Sequence, residues 1–321
     1  MPLFLLFTLT ILVFPCCRNQ QDENVRDFIL TEKDLIPEGL AFDPATQTIY
    51  VSSTHKRKIV LIDKPGQVRD FISSAQDDIK SVVGMEADPD RNSLWAISSE
   101  ANPVLPLINP GPDQWRSALY QYELTDGSLI RKYTLHRDSV FLNDLAVAPD
   151  GTVYITESRQ RGLFSLKPGT DSILVFLDLP EHRFVNGICF TDKPGFVFVC
   201  TPEGILSVDL DTKQYSLLPS ARDIHAGGID GLAFYDNYFI AHQSSRVMRF
   251  YLSPGRDSIT RADTLDSGPE FDSSTTGEVS GGFYYYIVNS QIRSGVDYDR
   301  ALIKPADSLE NIIIRKRKLS P

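Results

Sequence analysis

One pattern recurs six times along the 321 residues: a short apolar run, a turn rich in Asp, Pro and Gly, then a second run with aromatic or β-branched residues. The copies begin at Glu38 (Glu-Gly-Leu-Ala-Phe-Asp-Pro), Val83 (Val-Gly-Met-Glu-Ala-Asp-Pro) and Asn143 (Asn-Asp-Leu-Ala-Val-Ala-Pro). They return at Asn186 (Asn-Gly-Ile-Cys-Phe), Asp230 (Asp-Gly-Leu-Ala-Phe) and, in degenerate form, Thr276 (Thr-Gly-Glu-Val-Ser). Successive starts lie 45, 60, 43, 44 and 46 residues apart, and a Pro-rich insertion at 102–114 accounts for the long step. Sustained helical periodicity is absent. A period of about 40–45 residues with several strand-like runs per unit predicts a β-propeller. Two further strand candidates follow each hairpin, as in 58–63 and 68–72. The expectation is therefore all-β, a six-bladed β-propeller with four strands per blade, in a single domain over 26–321. The sixth unit offers only 283–289 and 312–318 after its first strand. The N-terminal run 26–31 would complete that blade, joining both ends of the chain and removing an open sheet edge.

Composition agrees: 13 Tyr and 18 Phe against 3 Met suit strands better than helices. The net charge of −10 argues against a nucleic-acid binder, and the runs 56–58 and 315–318 are too short to supply a basic surface. A phosphate-binding loop, a dinucleotide fingerprint and a Ser-His-Asp triad motif are all missing.

Residues 1–17 read as an export signal. The apolar and threonine run 3–14 would span about 18 Å as a helix, short of a hydrocarbon core of about 30 Å. Pro15-Cys16-Cys17 ends it and a polar linker, 18–25, follows. The Cys pair is like a lipoprotein signal, so the expected location is the periplasm or cell envelope. Two outcomes stay open: lipid attachment to the membrane through Cys16 or Cys17, or ordinary cleavage. Of the remaining cysteines, pairing 191 with 196 across the intervening turn sets Cys189 opposite Phe198 rather than Cys200. Two buried free thiols are expected.

In a propeller the first strand of every blade lines the central channel, so the six repeat starts converge on one axial spot. Four of them, Glu38, Asn143, Asn186 and Asp230, are oxygen donors. Two carboxylates and two carboxamides suit a calcium ion, which takes oxygen ligands, balances two charges and completes its shell with water. Zinc would call for His or Cys.

At these residues the chain resembles the senescence marker protein/gluconolactonase superfamily, with regucalcin, diisopropyl fluorophosphatase and paraoxonase as relatives. The resemblance rests on Pro37-Glu38-Gly39, Asn143-Asp144 before Ala148-Pro149-Asp150-Gly151, Asn186-Gly187 and Asp230-Gly231-Leu232, and spans about 26–318. It implies one axial Ca2+ held by Glu38, Asn186 and Asp230. Asn143 would be a fourth ligand or substrate contact, and Asp230 would double as nucleophile or general base. It also implies hydrolysis of lactones, aryl esters or phosphotriesters. Sugar-lactone hydrolases of the family carry Arg two places before the Asn-Asp pair; here Phe141 stands there, which favours a less polar substrate.

Loops after the second strands, and those leading into each next blade, are expected to line the mouth. They bring Trp115 and His242 as substrate contacts, with Phe141. His225, five residues before Asp230, is either a proton shuttle or an exposed loop residue. The expected whole is an exported, monomeric, calcium-dependent hydrolase of a small-molecule substrate. The alternative is a non-catalytic binding module whose calcium only ties the blades together.

Overall fold

The computed structural model describes residues 24–100, 116–135, 137, 139–160 and 162–320. The export signal, Cys16, Cys17 and Trp115 lie outside the described residues. Six four-stranded antiparallel sheets make up the fold. Their first strands are Leu40–Asp43, Ser81–Asp88, Leu142–Val147, Ile188–Phe190, Leu232–Tyr235 and Gly277–Ser280. Each packs against the first strand of the following blade, and the sixth packs against that of blade 1, so the ring closes. This is the six-bladed propeller that the repeat predicts.

Closure also follows the predicted route. Blade 6 has the spatial order Gly277–Ser280, Phe283–Ile287, Ile312–Lys318, Val25–Leu30, with the N-terminal strand outermost. That strand pairs antiparallel with Ile312–Lys318 over its whole length, Val25 opposite Arg317 and Leu30 opposite Ile312. Arg315 locks the seam: its Nε and one Nη reach the two oxygens of Asp27 at 2.7 and 2.8 Å, and its other Nη reaches Asp266 and Glu270. What the repeat did not announce is a hairpin, Val296–Asp297 with Leu302–Ile303, inserted between the second and third strands of blade 6.

Six apolar clusters hold the ring, one at each seam between neighbouring blades. Strand periodicity explains this, because successive side chains point to opposite faces of a sheet. In blade 6, Tyr284 and Tyr286 face blade 5 whereas Tyr285 and Ile287 face blade 1. Tyr120, Tyr122, Tyr238, Phe198, Phe239 and Phe250 are fully buried in such seams, so the aromatic excess fills the wedge between splayed sheets. Cys189 pairs with Phe198 in register, and Cys189 and Cys200 are both buried free thiols, as their spacing predicts.

Candidate functional site

The position after each repeat start is Gly39, Gly84, Asp144, Gly187, Gly231 or Gly277. These glycines let backbones touch around the axis. A Cβ on Gly39 would lie 1.9 Å from the Val83 carbonyl oxygen of blade 2. On Gly187 it would lie 2.6 Å from that of Asp230, and on Gly231 2.5 Å from that of Thr275. No side chain fits there. In blades 1, 2, 4 and 5 the glycine thus abuts the start of the following blade's repeat.

In blades 2 and 3 the pairing with the second strand skips at 83–84 and at 143–144, a β-bulge at the repeat start itself. Bulges bend a strand and re-aim side chains. Elsewhere the chain turns sharply just before the site. Ile36, Phe184 and Gly228 all have left-handed φ, of 47°, 48° and 63°, and each stands two residues ahead of Glu38, Asn186 or Asp230. For β-branched Ile36 that conformation is strained, and strain of this kind collects where a site imposes it.

Backbone and hydroxyl contacts fix the candidates further. Glu38 and Gly39 donate their N–H groups to Ser52 Oγ at 3.1 and 2.7 Å. Asp230 N–H donates to His242 O and Asn186 N–H to Cys200 O. Asn143 gives an amide hydrogen to Ser158 Oγ (2.9 Å), which donates in turn to Val185 O. Asn186 Nδ2 donates to Asp230 Oδ1 at 2.7 Å. Glu157, a fully buried carboxylate, accepts from the N–H groups of Phe141 and Arg159, at 2.8 and 3.1 Å, and from that of Gln160. It thereby holds the backbone leading into Asn143.

Glu38, Asn143, Asn186 and Asp230 border one cavity of about 10 Å³, together with Gly84, Asp144, Gly231, Thr275 and Thr276. That is room for a single water-sized particle. Thr275 Oγ1 is buried without a hydrogen-bond partner and borders the same space. Deeper along the axis lies a chamber of about 240 Å³ whose polar lining includes Glu86, Asp144, Thr276 and Glu278. Five carboxylates from five blades thus face the channel, and neither lining contains Lys or Arg.

Crowded and poorly solvated, these acids resist ionisation. Burial, then the charges of Asp230 and Asp144, pushes Glu38 up to about 8. Burial raises Asp144 to about 7, against hydrogen bonds from Leu145 and Ile188 N–H. Burial raises Asp230 to about 6, moderated by the Asn186 hydrogen bond and then by the charge of Arg293. Glu278 and Glu86 are raised as well, chiefly by burial. Such a set favours either protons or a cation.

The cavity suits a hard cation. Its donors are oxygens, its charge is uncompensated, its size is that of one particle, and a buried hydroxyl lacks a partner. Among the described residues no three His, Cys, Asp or Glu side chains converge to hold a metal ion, so amide oxygens would have to complete the ligand set.

Other sequence-predicted site residues are placed differently. His242 does not line the mouth. It is fully buried between blades 5 and 6, with Nδ1 2.7 Å from Ser274 Oγ and Nε2 2.6 Å from Tyr284 OH, and burial lowers it to about 3. It is the last residue of the strand Tyr238–His242, paired with Val247, rather than part of the loop that follows. His225 is exposed and does not border the cavity. Phe141 packs onto the seam between blades 2 and 3. Asp144, named above only as part of the Asn143-Asp144 motif, is not among the predicted donors. Its mark in the sequence is that it is the one non-glycine in the column after the repeat starts. Glu86 and Glu278, three and two residues after their repeat starts, carry no such mark.

No family model matches the chain, and no curated protein does. Solved structures do match. A gluconolactonase from Xanthomonas campestris is 14% identical, covering 92% of this chain and 90% of its own, with a TM-score of 0.61. A putative oxidoreductase (glucose dehydrogenase) from Thermus thermophilus is 16% identical over 91% and 99%, with a TM-score of 0.60. The major Malassezia sympodialis allergen Mala s 1 is 12% identical over 92% and 96%, with a TM-score of 0.67. At these identities the likeness is one of fold: the chain has the architecture shared by gluconolactonases and related propeller enzymes.

Proposed function

We propose that the protein is a calcium-dependent hydrolase of the lactonase or esterase type. The observation that carries this reading is the convergence of Glu38, Asn143, Asn186 and Asp230, from four blades, on a cavity the size of one ion. Those four residues would hold Ca2+, with Thr275 and waters available to complete the shell. When bound, the ion supplies a positive charge that polarises a substrate carbonyl or phosphoryl oxygen and offsets the oxyanion. Asp230 is the reacting group. One of its oxygens accepts from Asn186, which leaves the other either to take a proton from a water that adds to the acyl carbon and expels the alcohol oxygen, or to attack that carbon itself, expelling the alcohol and leaving an acyl-Asp230 that water then hydrolyses. The fold shared with a gluconolactonase supports a lactone or ester substrate, and Phe141 in place of Arg argues against a sugar lactone.

Because the cavity has no space for more than an ion, the substrate would sit above it, at the mouth. The same small volume favours the second reading, an axial ion that only ties blades together in a binding module. A panel of lactones, aryl esters and organophosphates, assayed with calcium and with chelator, separates the two. Calcium-dependent turnover lost in Asp230→Asn supports the hydrolase. Chelator-insensitive turnover, or none while Asp230→Asn folds and binds calcium, sinks it. Export of a monomer, by the signal at 1–17, belongs to the same proposal.

A further inference from the structure

Two of the four candidate ligands are carboxamides, and a carboxamide has two faces toward a cation: its oxygen attracts the ion and its NH2 group repels it. Which end is offered depends on what holds the other. Asn186 gives Nδ2 to Asp230 Oδ1, which leaves Asn186 Oδ1 for the cavity, but that partner is itself a candidate ligand. Asn143 is held from outside the ligand set, by Ser158.

Ser158 directly follows the strand Val153–Glu157 and is buried. Its backbone is pinned on both sides. Its own N–H donates to Phe141 O at 2.9 Å, and the carboxylate of the preceding Glu157 gathers the N–H groups of Phe141, Arg159 and Gln160. The hydroxyl hydrogen goes to Val185 O at 2.6 Å. Val185 stands one residue before Asn186 and is fully buried in the seam between blades 3 and 4, which fixes where its carbonyl lies. A carbonyl oxygen only accepts, so this relay has one direction. A hydroxyl whose single hydrogen is already donated can only accept from a further partner. The end of Asn143 that meets it, at 2.9 Å, is therefore the donor Nδ2. The amide oxygen is left facing away from Ser158. Among the described residues it accepts no hydrogen bond, and Asn143 borders the ion-sized cavity.

We infer that Ser158 is a positioning residue of the candidate ion site: its hydroxyl, directed by the Val185 carbonyl, turns the Asn143 amide so that oxygen rather than NH2 is offered to a cation. The inference rests on the proposed ion reading and deepens it, because one buried hydroxyl then ties the Asn143 ligand of blade 3 to the segment that delivers Asn186 in blade 4.

The test is calcium binding, measured calorimetrically on the full chain after treatment with chelator. Ser158→Ala is expected to weaken calcium about 10–100-fold. Ser158→Thr, which keeps the hydroxyl, should recover most of the affinity. Ser158→Cys, close in volume but a weak hydrogen-bonding group, is the second deletion variant should Ser158→Ala fail to fold. In an Asn143→Ala background the change at 158 should cost nothing further, because the amide it orients is gone, whereas a loosened fold would add its loss in both backgrounds. A readout without any ion accompanies this: in chelator, the Asn143 side-chain amide resonances should shift in Ser158→Ala. Unchanged calcium affinity in Ser158→Ala, additive losses in the double variant, equal losses in Ser158→Thr and Ser158→Ala, or unmoved amide resonances would each overturn the inference and leave the ion reading standing. Failure of the unmodified protein to bind calcium would overturn both.

Discussion

Asn186 of blade 4 donates its amide hydrogen to Asp230 of blade 5 across 2.7 Å, so two candidate ligands support each other before any ion arrives. The bond stabilises the ionised form of Asp230. Asn186→Ala is expected to raise the titration midpoint of Asp230 and to move the acid limb of any pH–rate profile to higher pH. Calcium affinity should fall about 10–100-fold. Titration of the Asp230 carboxyl by NMR in chelator and calorimetry with calcium check the two parts separately.

The channel acids make stability depend on pH in a defined sense. Glu38, Asp144 and Asp230 have folded midpoints of about 8, 7 and 6, above their ordinary values. Between the ordinary carboxylate range and pH 8 the native state holds more protons than the unfolded chain, so stability falls as pH rises. The chelated protein should melt at a lower temperature at pH 8.5 than at pH 5.5. Calcium favours the charged forms and should restore the loss, by about 4 kcal/mol at a thousand times its dissociation constant. A thermal melt series over pH, with and without calcium, decides this. An upward trend with pH in chelator would contradict it.

His242 acts in the opposite direction. Burial holds its imidazole neutral, so stability falls as pH drops below about 6.5 towards 3. With both ring nitrogens engaged by Ser274 and Tyr284, it serves the seam between blades 5 and 6. His242→Phe should lower the denaturation midpoint by an amount equivalent to about 1–3 kcal/mol, chiefly from the stranded Tyr284 hydroxyl, since Ser274 Oγ still donates to Ile287 O. Calcium affinity should stay unchanged.

Steric contact at the axial glycines predicts a sharp contrast. Gly231→Ala would drive a Cβ into the Thr275 carbonyl and the Thr276 Cα, at 2.5 and 2.7 Å, whereas a Cβ on Gly255 meets nothing nearer than 3.4 Å. The first change should cost about 3 kcal/mol and weaken calcium binding, and the second less than about 1 kcal/mol. Urea denaturation of both variants gives the comparison.

Ring closure offers a further measurement. Arg315 is only 11% exposed and joins Asp27, Asp266 and Glu270. Arg315→Met strands Asp27 and Glu270, while Asp266 keeps Arg317 and Tyr286, and should cost about 2–3 kcal/mol. Asp27→Asn, at a third exposed, should cost at most about 1 kcal/mol. Equal losses in the two variants would show that the pairing energy lies elsewhere.

Sequence alone disclosed the blades, the closing strand and the four donors at one cavity, because all of these repeat and a repeat is visible in one dimension. The features it concealed are departures from the repeat. Asp144 replaces a glycine in one blade only, and the hairpin inserted in blade 6 occurs once. Glu86 and Glu278 reach the chamber from different offsets, so no common spacing marks them. His242 was misplaced for a different reason: strand ends fix whether a side chain lies in a seam or at a rim, and a shift of one residue exchanges the two.

The glycine column has a consequence for how such a protein changes over time. In blades 1, 2, 4 and 5 it confines the close contact between blades to one residue and leaves the neighbour before it as an independent letter. Residues 38, 83, 143, 186, 230 and 276 then behave as a six-letter word written on an unchanging frame. Val83 is an apolar letter in that word. New chemistry at this axis is therefore a matter of single-codon steps, reached without rebuilding the ring that displays them.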